Sequence, residues 1–166
     1  MSPDDRYDPG PAIEALADAG IDFVLIGGLA GIAQGSAYPT YDLDIMYSRE
    51  RANLERLAAL LRDLGATLRG AARHLPFILD ADTLEEGGNF TFETPHGALD
   101  ILAYPAGAPK YEDVKSAADE IDFAGRRILV ASLDHLIAMK DAAGREKDRL
   151  MATEYRTLAD EKQRQS

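Results

Sequence analysis

The sequence predicts an α+β fold in which a mixed sheet is flanked by helices and the chain closes on C-terminal helices. Three observations carry this. Residues 23–26 form a strand-length run that is apolar on both faces, as in a central strand covered on two sides. Residues 42–47 and 90–103 alternate polar with apolar residues, the period of strands with one wet face. Helical periodicity surrounds these strands and dominates the last third of the chain.

The elements follow in order. Residues 11–19 read as a first helix, with Pro11 suited to the first turn and Gly20 to the stop. The buried strand over 23–26 ends at Gly27 and Gly28, and residues 29–34 read as a short helix whose amides point back toward those glycines. Residues 35–40 read as a loop, and residues 42–47 as a strand. Leu54, Leu57, Ala58, Leu61 and Leu64 share one face of a helix over 50–64 that Gly65 ends. Residues 74–79 suggest another strand, and residues 80–88, acidic and glycine-bearing, a mobile loop.

Phe90 and Phe92 alternate with Thr91 and Glu93 before a turn at Pro95, His96 and Gly97, which predicts a hairpin whose second strand spans 98–103. Residues 111–118 are weakly helical, and 121–130 read as a second hairpin turning near Gly125. Ser132 caps a helix through 142, Gly144 breaks it, and a last helix runs from about 146 toward 160. One domain over 1–166 is expected, with flexible ends at 1–10 and 161–166.

Composition narrows the function. Lys and Arg total 18 against 29 Asp and Glu, a net charge of −11, which disfavours nonspecific attraction to nucleic acid or an anionic membrane. The absence of cysteine excludes disulfides and thiolate zinc sites. The chain has no apolar run of membrane-spanning length, and its start is polar and acidic rather than signal-like, so a cytoplasmic protein is expected.

Asp42 and Asp44 carry the chemistry. Two apart on a strand, both carboxylates emerge on one face, roughly 6–7 Å apart, while Leu43 and Ile45 enter the core. Carboxylates this close repel each other, and a divalent cation, Mg2+ or Mn2+, relieves the repulsion. Asp100, between apolar Leu99 and Ile101, must also point away from the core, so three carboxylates converge if its strand lies beside that of Asp42. Gly27 and Gly28 close a buried strand and open a helix, where missing side chains let phosphate approach the backbone. Metal carboxylates beside a phosphate cradle suit phosphoryl or nucleotidyl transfer.

The stretch Gly27-Gly28-Leu29-Ala30 followed by Thr40-Tyr41-Asp42-Leu43-Asp44 resembles the signature of the DNA polymerase beta-like nucleotidyltransferase superfamily, and Asp100 in Leu99-Asp100-Ile101-Leu102 matches its third carboxylate. Residues 133–150, with Lys140, Gly144, Arg145, Lys147 and Asp148, resemble the small prokaryotic branch related to abortive-infection and toxin-type (AbiEii-like) nucleotidyltransferases. The resemblance implies transfer of a nucleoside monophosphate from a triphosphate such as ATP to a hydroxyl, with release of pyrophosphate. It implies that Asp42 and Asp44 bind both metals, that Asp100 binds the catalytic metal and helps activate the acceptor, and that Gly27, Gly28, Thr40 and Lys140 serve the nucleotide. The branch often carries Arg two residues before the threonine, where this chain has Tyr38.

Lys140 shares the apolar face of Leu133 and Leu136, so it needs a partner: triphosphate oxygens or Asp148. Arg145 and Lys147 are surface residues or a local basic patch, and His74 and His96 fit no ligand spacing. The acceptor, whether transfer RNA, a protein or a small molecule, is not encoded in a readable motif. A noncatalytic nucleotide-binding module of the same fold, with a small partner protein in a toxin and antitoxin pair, is the rival reading.

Overall fold

The computed structural model describes residues 7–70 and 76–166. In chain order it holds α1 (Gly10–Asp18), β1 (Phe23–Ile26), α2 (Gly27–Ala33), β2 (Asp42–Tyr47), α3 (Arg51–Asp63), β3 (Thr67–Leu68) and α4 (Ala81–Gly87). There follow β4 (Asn89–Thr94), β5 (Gly97–Leu102), α5 (Tyr111–Ala117), β6 (Asp119–Phe123), β7 (Arg126–Val130), α6 (Leu133–Ala143) and α7 (Glu146–Arg164). The seven strands make one mixed sheet in the order β3-β4-β5-β2-β1-β7-β6.

The expected α+β class with C-terminal helices is what the chain adopts. β1, the apolar run, is buried along its whole length and pairs antiparallel with β2 and parallel with β7. β2 pairs parallel with β5, which a hairpin joins to β4. On α3 the predicted stripe of Leu54, Leu57, Ala58 and Leu61 is at most 1% exposed, and Gly65, at φ +70°, ends the helix in the left-handed region. Asn53, 1% exposed, fixes α3 to the strand ends by accepting from Asp22 N–H at 2.8 Å and donating to the Ser48 carbonyl at 2.8 Å.

The sequence misplaces three elements. Residues 80–88 form α4 rather than a loop: the Asp80 carboxylate accepts from Thr83 N–H at 2.8 Å, and Leu84 is fully buried. The acidic and glycine content of that stretch hides a capped helix held by two apolar residues, Ala81 and Leu84. The strand expected over 74–79 is absent from 76–79, its first two residues lying outside the described ones; the edge strand is instead β3, two residues long. The last helix continues to Arg164, past the predicted end near 160.

α6 and α7 pack against each other, and α6 against α2. Ser132 caps α6 by accepting from His135 N–H at 3.2 Å. Fully buried Tyr155 of α7 lies so near α2 that a Cβ on Gly31 would stand 2.3 Å from its hydroxyl. Among the described residues no helix is long and apolar enough to cross a membrane.

Candidate active site

The sheet brings the predicted carboxylates together. Asp44 and Asp100 are register partners on the adjacent parallel strands β2 and β5, with Asp42 opposite Ala98. Leu43, Ile45, Leu99 and Ile101 are at most 1% exposed, so strand alternation turns the three acids to the opposite face. Asp42 is exposed there and Asp44 is half-buried.

Asp44 is the electrostatic centre. Burial first, then the charge of Asp100 and a hydrogen bond to it, then Asp42, push its carboxyl up to about 7, while Lys140 opposes the rise. Its Oδ1 is buried with no hydrogen-bond partner. A buried carboxylate oxygen without a donor, among other carboxylates, is a site short of positive charge, and these hard oxygen donors suit Mg2+ or Mn2+. Among the described residues no three acidic or imidazole groups are already closed into a metal cage.

The diglycine lies against this cluster. Ile26 pairs with Asp44 across β1 and β2, and the chain turns at Gly27 with φ +70°. A Cβ on Gly27 would stand 2.2 Å from Asp44 Oδ2, and one on Gly28 2.7 Å from Thr40 Cβ. The missing side chains therefore admit Asp44 and Thr40 to the backbone, closer neighbours than the phosphate cradle read from the sequence. Thr40 Oγ1 lies 3.5 Å from both the amide N and the carbonyl O of Asp42. The loop leading to Thr40 is tied to α7, where Glu154 accepts from the Ser36 hydroxyl and from Ala37 N–H at 3.1 Å.

Lys140 meets Asp148, one of its two candidate partners. Its Nζ is 3.5 Å from Asp148 Oδ1, and its side chain is 19% exposed, while its charge also reaches Asp44. Asp148, 1% exposed, is bound more closely by Arg145 at 2.8 Å and closes a capping box at the start of α7. Tyr38 packs against the apolar core.

Two residues of the site escape sequence reasoning. Tyr7, in the acidic start read as flexible, has a buried hydroxyl without a partner. Burial and the charges of Asp42, Asp44, Asp100 and Asp8 push that phenol up to about 12. Its ring lies 6.5 Å from that of Tyr41 and against Gly97, where a Cβ would stand 3.0 Å from Tyr7 Cε2. Arg69 donates to Asp100 Oδ1 at 2.8 Å, to Glu93 Oε1 at 3.0 Å and to the Phe92 carbonyl at 3.0 Å. The two-residue strand before Arg69 is too short to read, and its partners are 23–31 residues away.

No family model and no curated protein matches the chain. Solved structures do. The lincosamide antibiotic adenylyltransferase LnuA, in its lincomycin-bound form, superposes with a TM-score of 0.60 at 14% identity, over 89% of this chain and 94% of that one. A Thermotoga maritima protein assigned as a candidate nucleotidyltransferase gives 0.55 at 12% identity, over 89% and 91%. An antigenic nucleotidyltransferase-like protein from Paracoccidioides brasiliensis gives 0.54 at 15%, over 90% and 72%. The chain has the nucleotidyltransferase fold.

Proposed function

We propose that the chain is a metal-dependent nucleotidyltransferase that moves a nucleoside monophosphate from a triphosphate such as ATP to a hydroxyl acceptor. The observation that carries this reading is the register of Asp44 with Asp100 on neighbouring parallel strands, with Asp42 two residues away and Gly27 against Asp44. The acceptor oxygen attacks the α-phosphorus, the bond from that phosphorus to the β-bridging oxygen breaks, and pyrophosphate leaves. Asp42 and Asp44 would hold Mg2+ or Mn2+, with Asp100 as the third ligand. When bound, the metal neutralises charge on the triphosphate. Asp100 Oδ2, opposite the oxygen that Arg69 engages, takes the acceptor's proton. Gly27, Gly28 and Thr40 border the triphosphate, and Lys140 exchanges part of its contact with Asp148 for phosphate oxygen.

The net charge of −11 favours a small molecule or a protein hydroxyl over transfer RNA as acceptor, and the fold shared with LnuA, an antibiotic adenylyltransferase, supports the small molecule. A triphosphate donor supports a cytoplasmic site of action. Residues 133–150 support kinship with the abortive-infection, AbiEii-like branch. Tyr38, packed against the core where a cation is customary, favours a second reading: a noncatalytic nucleotide-binding module of a toxin and antitoxin pair, joined to a small partner protein.

Incubation with α-labelled triphosphate, Mg2+ and candidate acceptors separates the two. The enzyme labels an acceptor, and Asp42→Ala or Asp44→Ala reduces labelling on the order of 10²-fold or more. Labelling that persists in both variants rejects the assignment, and calorimetric nucleotide binding without turnover supports the module.

A further inference from the structure

Arg69 places a permanent cation inside the carboxylate cluster. Its amide donates to the Thr91 carbonyl at 2.9 Å, so the backbone extends β3 alongside β4, and the side chain crosses β4 to reach Asp100 on β5. Three acceptors fix the guanidinium: Asp100 Oδ1, Glu93 Oε1 and the Phe92 carbonyl. The side chain of Arg69 is 33% exposed and that of Asp100 17%. A single solvated ion pair of this kind exchanges freely with water, but a guanidinium held by two carboxylates and a backbone carbonyl keeps one orientation.

Two consequences follow at Asp100. One carboxylate oxygen is committed to a cation that has donors only and cannot give it up by losing a proton. Any divalent ion approaching the cluster then meets a like charge and competes for that oxygen. The remaining oxygen is held at one angle.

Resting on the nucleotidyltransferase reading, we infer that Arg69 is a positioning residue acting through Asp100: it weakens binding of a free divalent cation, so that the metal enters with its triphosphate, and it aims the second Asp100 oxygen at the acceptor. The charge of Arg69 sets the first effect and its forked geometry the second.

Mn2+ titration without nucleotide, followed by electron paramagnetic resonance, tests this on the wild-type chain, Arg69→Gln, Arg69→Lys, Glu93→Gln and Asp44→Asn, each first shown to be folded by its melting curve. Arg69→Gln should bind Mn2+ about tenfold more tightly than wild type, the scale of a like charge a few ångströms away in a solvent-facing site. Arg69→Lys keeps the charge and loses the fork, so its Mn2+ affinity should stay within about twofold of wild type, while kcat falls and KM for the triphosphate does not. Glu93→Gln, which spares the contact with Asp100, should leave Mn2+ binding unchanged. Equal affinity in Arg69→Gln and wild type, with binding lost in Asp44→Asn, overturns the role of Arg69 and leaves the nucleotidyltransferase reading standing. Equal tightening in Arg69→Gln and Arg69→Lys overturns the assignment to charge. Mn2+ binding that is absent throughout overturns the role of Arg69, and binding that is unaffected by Asp44→Asn overturns the underlying reading as well.

Discussion

Gly27 is constrained twice, by a backbone that turns through φ +70° and by the carboxylate of Asp44 where a Cβ would stand. Gly27→Ala therefore has to strain the turn and displace Asp44 together. It should cost about 1–3 kcal/mol in urea denaturation and weaken Mn2+ binding, and an alanine variant that binds as wild type does would contradict the close approach. Asp44 itself makes a pH prediction. Its carboxyl, ordinarily near 3.8, is pushed up to about 7 in the folded chain, so the folded state favours the proton more than the unfolded state does. The stability this contributes is fully present below about 3.8 and is lost as pH rises through about 7. Without metal, the difference in melting temperature between Asp44→Asn and wild type should widen in favour of the variant from pH about 4 to about 7, then level off. Added Mg2+ should narrow it, and a difference constant across that window would reject the buried, repelled carboxylate.

At the scale of elements, α4 shows what local composition conceals. Its N-terminus is capped by Asp80 on Thr83 N–H, at 2.8 Å, and it packs beside α3. Asp80→Ala should cost about 1 kcal/mol by chemical denaturation; an unchanged midpoint would show that packing alone holds the helix. α3 and the β4–β5 hairpin were legible because each repeats its apolar positions at one period over several residues, and β1 because its residues are apolar without a break. β3 was not, because two residues carry no period and its place is set by pairing with β4. The site divides along the same line. Asp42, Asp44 and Asp100 could be read from alternation along two strands, and the sheet order then set Asp44 beside Asp100. Tyr7 and Arg69 could not, because nothing local distinguishes a phenol or a guanidinium that folds back over a distant carboxylate.

Across the whole molecule, the C-terminal helices brace the site. α7 holds the loop before β2 through Glu154, and Asp148 holds Lys140 from the start of the same helix. Arg145, bonded to Asp148, keeps that carboxyl below the usual range despite its burial, with its backbone amide and the charge of Lys140 adding to the effect. Asp148→Ala leaves Lys140 half-enclosed without its partner and should cost about 2–4 kcal/mol near neutral pH. The deficit should shrink as acid protonates Asp148 in wild type, because a depressed carboxyl contributes stability only above its unfolded value. A deficit that persists undiminished in acid would locate the loss in packing rather than charge. The decisive measurement is the anomalous scattering of Mn2+ in crystals grown with a nonhydrolysable triphosphate. It should place manganese between Asp42 and Asp44, with triphosphate oxygens beside Gly27 and Gly28. Manganese and triphosphate bound together elsewhere on the chain, with the three carboxylates untouched, would contradict nucleotidyl transfer at this site.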